Sequence, residues 1–374
     1  MALFSENILN TMVLKNRLVR SATWEGMCDP DGRPTERLRD CYTDLARGGV
    51  GLIITGFAFI RPDGRQLPGK MGIHTDEFAA EMQELTAAVH QAGGKICLQL
   101  VHAGGQTDSS NAGCQPMAPS AVKVEQFPEL PRAMTFADIQ GVVKAFRSAA
   151  GRAKAFGFDA VQLHAAHGYL INQFLSPLTN HRTDEYGGNR ENRSRFLMEV
   201  YWAVREVVGK DYPILAKLNG SDNLAGGLDL DDARYAARRL STAGIDAIEV
   251  SGGTPASGSV GPIRRGIDQL EDEAYNLPLA SAIKAAVACP VMVVGGFRTS
   301  EVCEKALVLQ ADYISMARPF IREPALAKRW QLGDRGRATC ISCNGCFVPA
   351  FKEGGIYCVV EKKEREDAAG VVNN

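Results

Sequence analysis

Short runs of apolar and β-branched residues alternate along the chain with longer segments that carry apolar residues at helical spacing. Several runs, such as GLIITGF and VMVVG, are apolar throughout, as expected for strands buried on both faces of a parallel sheet. Glycine and proline punctuate the boundaries between them. The alternation predicts repeated β-α units. The eight predicted strands are Arg17–Thr23, Val50–Phe57, Lys95–Val101, Asp159–His164, Pro213–Asn219, Asp246–Ser251, Pro290–Gly295 and Asp312–Met316.

Four of the intervening segments have a clear helical pattern. Asp138 stands near the start of one of them, and glycine follows the ends of several, as at the ends of helices. The count and spacing of the units predict an α/β fold, a (β/α)8 TIM barrel. A doubly wound sheet is disfavoured because no glycine-rich fingerprint follows the first strand. The four predicted helices are Asp76–Ala92, Phe136–Phe156, Asn192–Val208 and Leu230–Ala243.

The composition narrows the range of partners. The chain has 374 residues, of which 45% are apolar and 23% are charged, with a formal net charge of -1. These values are ordinary for a globular protein, and the absence of a basic stripe excludes nucleic acid as an expected partner. Neither a signal peptide nor an apolar run long enough to cross a bilayer is evident. We therefore expect a cytoplasmic protein without a membrane partner.

The cysteines are unevenly distributed. Four of the ten form the pattern C-x2-C-x2-C-x11-C, at Cys340, Cys343, Cys346 and Cys358. In a chain without a secretion signal, such cysteines are expected to be reduced thiols or metal ligands. The character of the sequence changes at about Ala338. The sequence therefore predicts a barrel domain over residues 1–337 and a cysteine-rich C-terminal extension over residues 338–374.

The fourth predicted strand ends in the segment His164-Ala-Ala-His167-Gly-Tyr169. Active sites of such barrels lie at the carboxyl ends of the strands. Two imidazole donors aimed at one oxygen can stabilise an enolate, and Tyr169 can then supply a proton to carbon. A zinc site is disfavoured because no third ligand follows at a zinc spacing. A helix-capping and a buried structural histidine remain the alternative.

At this segment the sequence resembles a known family. The stretch HAAHGYLINQFLSPLTNHRTDEYGGNRENR is similar to the signature of the Old Yellow Enzyme family of FMN-dependent ene-reductases, including its dienoyl-CoA reductase branch. Segments in other strands agree, among them LKNRLVRSA, ICLQLVHAG and ISMARPFI, and the similarity covers roughly residues 1–335. The resemblance implies that the barrel binds FMN, that NADH or NADPH is the reductant, and that the substrate is a small unsaturated carbonyl compound.

The resemblance also implies roles for matching positions. His164 and His167 would bind the substrate oxygen, and Tyr169 would act as the acid. From the residues alone, Gln99 and Lys217 could equally be polar groups satisfied at strand ends. The positions implied to contact the flavin ring are Ser21, Ala22 and Gly56 beside the isoalloxazine, Gln99 at its pyrimidine edge, and Lys217 near N1 and O2.

The phosphate site follows from barrel geometry. Gly295 and Gly296 end the seventh strand, and Ala317 and Arg318 end the eighth. Backbone N–H groups after these two strands form the usual phosphate cradle of such barrels. Arg318 adds a bidentate partner for phosphate.

The sequence departs from the family at two places. Where relatives often have proline and then cysteine or threonine, this chain has Ala22 and Trp24, and Trp24 is expected to narrow the pocket over the flavin or shift its potential. The dienoyl-CoA branch has a histidine after the sixth strand, whereas Ser251 is followed by Gly-Gly-Thr-Pro. Reduction of a simple enone or enoate is therefore favoured over dienoyl-CoA reduction.

The cysteine-rich extension resembles the 4Fe-4S segment of dienoyl-CoA reductase and trimethylamine dehydrogenase. Zinc and free thiols stay open as alternatives. A cluster in this chain would exchange electrons with a separate electron-donor protein, because the second nucleotide-binding domain of the multidomain relatives is not in the sequence. Direct reduction of FMN by NADH or NADPH is the simpler route.

The leading hypothesis is therefore an FMN-dependent oxidoreductase that reduces the activated C=C bond of an α,β-unsaturated carbonyl or enoate. The alternative is an amine dehydrogenase or demethylase that passes electrons out through a 4Fe-4S cluster. Alternatives of another class are a non-flavin barrel isomerase or aldolase, and an iron–sulfur carrier. The natural substrate stays open, as does assembly into a homo-oligomer.

Overall fold

Eight parallel strands close into a barrel in the computed structural model, which describes residues 2–309 and 311–372. Neighbouring strands pair in chain order, and β8 pairs with β1 to complete the circle. This confirms the predicted (β/α)8 TIM barrel. The strands are β1 (Leu18–Arg20), β2 (Leu52–Ile54), β3 (Ile96–Val101), β4 (Ala160–Ala165), β5 (Ile214–Asn219), β6 (Ala247–Ser251), β7 (Val291–Val294) and β8 (Tyr313–Met316).

The observed strands lie within a residue or a few of the predicted ones. Seven predicted strands begin one residue early, and the second begins two residues early. In three of the seven the extra residue is an aspartate, Asp159, Asp246 or Asp312, that binds the neighbouring strand. Each carboxylate accepts the backbone N–H of the first residue of the preceding strand, β3, β5 or β7, at 2.9, 2.7 and 2.7 Å respectively. These bonds join neighbouring strands at the amino-terminal end of the barrel, where stability rather than chemistry is expected.

The interior of the barrel has two layers of different character. Below, the antiparallel hairpin Asn7–Leu9/Met12–Leu14 closes the barrel, and its Leu9, Met12 and Leu14 pack against buried apolar side chains of the strands. Above, polar side chains replace apolar ones inside the strands, among them Gln99 and Glu249, each 0% exposed. Buried polar groups cost free energy unless they are paired, so the upper layer marks the functional end.

Helices surround the barrel, and all four predicted helices are present. The long helix after β3 starts with a capping box in which Thr135 and Asp138 satisfy each other's backbone N–H groups. The helices are α1 (Glu36–Arg47), α2 (Ala79–Gln91), α3 (Ser109–Ala112), α4 (Phe136–Ala155), α5 (Leu170–Leu175), α6 (Arg190–Val208), α7 (Leu230–Ala243), α8 (Leu277–Lys284), α9 (Ser300–Val308), α10 (Arg318–Arg322), α11 (Leu326–Gln331), α12 (Val348–Lys352) and α13 (Val359–Val372). Within the described residues, none of them is both long and apolar enough to cross a membrane.

The cysteine-rich extension returns to the carboxyl-terminal rim of the barrel. The N–H of Ile356 donates to the carbonyl of Glu25, and a Cβ added to Gly26 would lie 2.9 Å from the Cβ of Ala350. The extension therefore forms part of the wall around the barrel mouth. The predicted boundary at residue 337/338 stays a prediction, and its outer limits at residues 1 and 374 lie outside the described residues.

Candidate active site

A cavity of about 490 Å³ opens at the carboxyl ends of the barrel strands. This is the face on which barrel enzymes carry their sites, and the volume lies in the range of cofactor and small-molecule pockets. The extension contributes Ser342, Phe347 and Phe351 to its wall. The predicted site residues that line the cavity are Ser21, Ala22, Gln99, His164, His167, Tyr169, Lys217, Gly295, Gly296, Ala317 and Arg318.

The two predicted imidazoles meet at the end of β4. Their ring centroids lie 5.2 Å apart. His167 has a positive φ of 61°, a backbone conformation that few residues other than glycine adopt, and its N–H donates to Asn219 Oδ1. The Nε2 of His167 lies 2.7 Å from the hydroxyl of Ser251. This tight turn, held by β5 and β6, directs both rings to the same cavity.

The surroundings of both imidazoles favour their neutral form. Burial lowers the pKa of His164 well below its usual value, and the charges of His167, Lys217 and Lys70 lower it further. Burial, with the charge of Lys217, also lowers the pKa of His167. The N–H of Ala166 donates to His164 Nδ1 at 3.4 Å, which places the ring proton on Nε2. His164 therefore has a free N–H to offer a ligand.

Tyr169 completes the donor cluster beside His164. Its ring centroid lies 4.6 Å from that of His164 and 5.0 Å from that of Phe57. The phenol donates a hydrogen bond to Gln66 Oε1 at 2.9 Å. Burial raises the pKa of Tyr169 above its ordinary value, although the bond to Gln66 acts in the opposite direction. The phenol is therefore protonated at neutral pH and can serve as an acid.

A buried polar layer forms the floor of the cavity. Gln99 Nε2 donates to Gln162 Oε1 at 2.7 Å, and Gln162 Nε2 donates to Glu249 Oε2 at 2.8 Å. Ser21 Oγ donates to Glu249 Oε1 at 2.6 Å. Lys217 Nζ donates to Ser21 Oγ at 2.8 Å and lies 3.3 Å from Glu249. Burial lowers the pKa of Lys217, and the Glu249 carboxylate opposes that shift.

One atom of this layer has no partner among the described residues. Gln99 Oε1 is buried and accepts no hydrogen bond, while its amide nitrogen is already held by Gln162. An acceptor at the cavity floor suits the N–H of a flavin pyrimidine edge, and the paired Lys217 suits the N1 and O2 region. The residues present therefore fit the flavin ring that the sequence implied.

Gly56 is set back from the cavity rather than lining it. Its N–H donates to the Tyr42 hydroxyl at 3.0 Å and to Glu25 Oε1 at 3.2 Å, and an added Cβ would come within 2.1 Å of Glu25 Oε2. The buried Glu25 carboxylate also binds Arg20 at 2.6 Å. The role implied for Gly56 beside the isoalloxazine stays a prediction. Glycine is needed there so that the loop after β1 can be fastened to β2.

The residues predicted to bind the phosphate follow β7 and β8 at the barrel mouth. Gly295 and Gly296 have positive φ values of 155° and 76°, and a Cβ on either would meet the ring of Tyr275 within 3.0 Å. Without side chains of their own, these two residues let another group approach their backbone closely. Arg318 also holds the extension, because its Nη1 donates to the carbonyl of Ser342 at 3.2 Å and to Asn344 Oδ1 at 2.6 Å.

Comparison with known proteins gives the family. The model of the NADH:flavin oxidoreductase / NADH oxidase family matches residues 3–335. The chain belongs to this family. An NADH oxidase of Thermoanaerobacter brockii is 38% identical over 350 residues, covering 92% of this chain and 53% of that protein. An NADPH dehydrogenase of Geobacillus thermodenitrificans is 38% identical over 327 residues, covering 86% of this chain and 91% of that protein.

Solved structures agree with the sequence relatives of this NADH:flavin oxidoreductase. A complex of 2-naphthoyl-CoA reductase is similar with a TM-score of 0.89 and 28% identity, covering 96% of this chain and 56% of that one. Morphinone reductase with tetrahydroNAD has a TM-score of 0.76 and 31% identity, covering 89% of this chain and 91% of that one. Membership of the family confirms the predicted Old Yellow Enzyme type, FMN as cofactor and NAD(P)H as reductant.

The chain spans about half the length of the NADH oxidase and the 2-naphthoyl-CoA reductase that it matches. It spans nearly the full length of the NADPH dehydrogenase and morphinone reductase. Substrate and partners are therefore taken up below as proposals.

The four predicted cluster cysteines lie together on the rim but outside the cavity lining. Cys340 and Cys346 are buried, Cys343 is exposed and Cys358 is half-buried. Burial raises the pKa of Cys346 to about 12, and neighbouring charges on Cys340 and Cys343 act in the same direction. Among the described residues, no three His, Cys, Asp or Glu side chains stand close enough to hold a single metal ion, which disfavours zinc.

The charged residues around the four cysteines bear on the choice between a 4Fe-4S cluster and free thiols. Arg318 and Arg298 lie close enough to Cys340 for their charges to act on its thiol, and Cys358 and Cys340 both act on Arg322. A cubane is larger than one ion and carries a net negative charge with its four thiolates. Three arginines around the thiols fit such a group, so the 4Fe-4S prediction stays open.

Several polar residues of the site were not assigned roles from the sequence. Gln162 and Glu249 could have been found, because each interrupts a buried apolar strand and lies in register with a predicted residue, Gln99 and Lys217 respectively. Ser251 was noticed only as a departure from the family. Nothing in the sequence singled out Gln66, which lies in an irregular loop between β2 and α2.

Proposed function

We propose that this chain reduces the activated C=C bond of an α,β-unsaturated carbonyl compound or enoate. The observation that carries the proposal is the convergence of His164, His167 and Tyr169 on one cavity above a floor with an unpartnered acceptor, Gln99 Oε1. Two of the similar structures are named as reductases, which agrees with the proposed direction. When bound, FMN supplies the hydride.

The residues that would hold FMN belong to two groups. Ser21, Ala22, Gln99 and Lys217 form the floor under the ring system. Glu249 keeps Lys217 and Ser21 in place from below, and it balances the buried ammonium charge. The residues proposed for the phosphate are Gly295, Gly296, Ala317 and Arg318.

His164 and His167 would bind the carbonyl oxygen of the substrate. Neutral imidazoles suit this role because each offers one N–H without adding a positive charge to the cavity. As the β-carbon is reduced, negative charge accumulates on that oxygen, and preorganised donors stabilise it. Ser251 fixes the ring of His167 from behind. Tyr169, held by Gln66, would then protonate the α-carbon.

The first test compares two substrate classes on purified FMN enzyme. Steady-state oxidation of NADH and NADPH is measured with a cyclic enone, and amine oxidation is measured with methylated amines and an artificial electron acceptor. Enone-dependent turnover supports the proposal. Turnover of methylated amines without enone reduction would favour the alternative, an amine dehydrogenase that feeds electrons outward.

Replacing both imidazoles, His164→Ala with His167→Ala, should raise KM for the enone about ten- to hundred-fold, because two donors to the carbonyl oxygen are lost. FMN content per chain should stay near that of the wild type, since neither ring belongs to the floor. The matched control is His181→Ala, at an exposed histidine. Unchanged enone KM in the double variant would remove the proposed role.

The extension is proposed to hold a 4Fe-4S cluster through Cys340, Cys343, Cys346 and Cys358, which would accept electrons one at a time from a separate electron-donor protein. Anaerobically purified enzyme should contain about four iron atoms per chain, and Cys346→Ala should lose most of them. Cys114→Ala, at an exposed cysteine, is the control. Iron-free protein that retains FMN would contradict the cluster.

A further inference from the structure

A buried lysine lies in the cavity without a hydrogen-bonding partner. Lys70 follows Gly69 in the loop between β2 and α2, lines the cavity, and is 3% exposed. Within the part of the chain that the structure describes, its ammonium makes no hydrogen bond or ion pair. Its Nζ lies 3.2 Å from the ring centroid of Phe57 and 5.1 Å from that of Trp24.

The two aromatic rings favour a cation at this place. A lysine ammonium over an aromatic face is attracted by the ring quadrupole, most strongly when water is excluded. Burial lowers the pKa of Lys70 well below its usual value, and only the charge of Glu25 opposes this shift. An ammonium on a side chain that is largely withdrawn from water gains free energy from a hydrogen-bond acceptor, so Lys70 offers a donor to a ligand that enters the cavity.

Glu25, whose carboxylate charge acts on Lys70, already has other hydrogen-bonding partners. It binds Arg20 and accepts hydrogen bonds from Tyr42 and the backbone of Gly56. The other cavity cations have partners, since Lys217 lies 3.3 Å from Glu249 and Arg318 donates to carbonyl and amide oxygens. Lys70 therefore differs from them in having its donors free.

The Phe57 ring contacts both the Lys70 ammonium and His164, one of the two imidazoles proposed to bind the carbonyl oxygen. The Phe57 ring centroid lies 5.9 Å from that of His164 and 5.0 Å from that of Tyr169, while Nζ of Lys70 sits over the same ring. A ligand bound by the imidazoles could thus reach Lys70 with a second acceptor group a few bonds away. The walls here include the apolar side chains Trp24, Leu67 and Phe351, so an anion bound here would depend on Lys70 for its counter-charge.

We propose that Lys70 binds a carboxylate of the substrate, so that the substrate class is an α,β-unsaturated carbonyl compound that also carries a carboxylate. This inference rests on the proposed function for its carbonyl half. A carboxylate would complete the ammonium with charge-assisted hydrogen bonds, which are stronger than neutral ones. The phosphate of FMN is proposed to bind at Gly295 and Arg318, so Lys70 is not needed to bind that phosphate.

The test uses a charged and an uncharged form of one enone, (E)-4-oxopent-2-enoate and its methyl ester, on the FMN holoenzyme. Wild-type kcat/KM should favour the acid by about tenfold or more. Lys70→Gln should lower kcat/KM for the acid about ten- to hundred-fold, mainly through KM, and leave the ester within about twofold. Lys70→Arg should restore part of the preference, and Lys123→Gln, at an exposed lysine, should change neither value.

A binding experiment separates this inference from the proposed function. Calorimetric titration of oxidised holoenzyme with 4-oxopentanoate and its methyl ester measures recognition without turnover. Lysine-dependent binding of the acid, even in an enzyme that reduces no enone, would retain the carboxylate site and refute the reductase. Equal losses for acid and ester in Lys70→Gln, or a wild type with no preference for the acid, would overturn the role of Lys70. FMN content and thermal midpoint of each variant check that it folds.

Discussion

Tyr169→Phe should lower kcat for enone reduction by about 10²- to 10⁴-fold, the usual contribution of a positioned general acid. The substitution removes one hydroxyl and leaves a ring that can still pack against His164 and Phe57. FMN binding and the carbonyl donors are therefore expected to survive. The lost group is the proton donor, so the defect should appear in the step that consumes the enone.

Stopped-flow measurement of the two half-reactions locates the defect. Reduction of the enzyme by NADPH should keep its wild-type rate, while reoxidation by the enone should slow by the full factor. Tyr235→Phe, on the outer helix α7, is the matched control. Equal slowing of both half-reactions, or a wild-type reoxidation rate, would exclude Tyr169 as the acid.

The pH dependence follows from the same burial. Because the pKa of Tyr169 is raised above its ordinary value, the phenol keeps its proton as pH rises towards 10. The wild-type reoxidation rate should therefore show no loss from Tyr169 between about pH 6 and 9. Gln66→Leu removes the hydrogen-bond acceptor of the phenol and is expected to cost less than Tyr169→Phe, since the proton donor remains.

The barrel was predictable because its units are local. Each strand is a short apolar run, and each is separated from the next by a helix-length segment, so the count of units fixes the architecture. The donor cluster was predictable for the same reason: His164, His167 and Tyr169 all come from the end of one strand. The aspartates before β4, β6 and β8 were read as strand residues, because their bonds to neighbouring strands are not visible in a local pattern.

The remaining parts of the site depend on contacts between distant segments. Gln66 and Lys70 come from an irregular loop, and their positions beside Tyr169 and Phe57 follow only from the folded chain. Glu25 binds the backbone N–H of Gly56 and so joins the loop after β1 to the carboxyl end of β2, a contact that no local pattern indicates. The return of the extension to the barrel mouth likewise had no local signal.

Glu249 lies between these two cases: its partner is distant in sequence, but the order of strands in the barrel is enough to predict it. Strands β5 and β6 are neighbours, and their register sets Lys217 beside Glu249. A carboxylate in a strand whose other side chains are buried must be paired, and the only cation in register is Lys217. The charge pair beneath the cavity was thus available from the sequence once the barrel had been accepted.

Glu249→Leu should destabilise the protein by about 3–5 kcal/mol, because it leaves the buried ammonium of Lys217 without its counter-charge and removes the acceptor of Ser21 and Gln162. Urea unfolding of the holoenzyme, followed by tryptophan fluorescence and by circular dichroism, measures the change.

The double variant Glu249→Leu with Lys217→Met distinguishes a lost pair from a general packing defect. Removing both charges should recover much of the stability, because the penalty of the single variant comes from the buried charge that remains. The FMN affinity of the double variant should nevertheless be lower than that of the wild type, since the ammonium proposed to contact the flavin is absent. A double variant no more stable than Glu249→Leu would mean that the carboxylate acts through its other hydrogen bonds, and that the ion pair under the cavity contributes little to the fold.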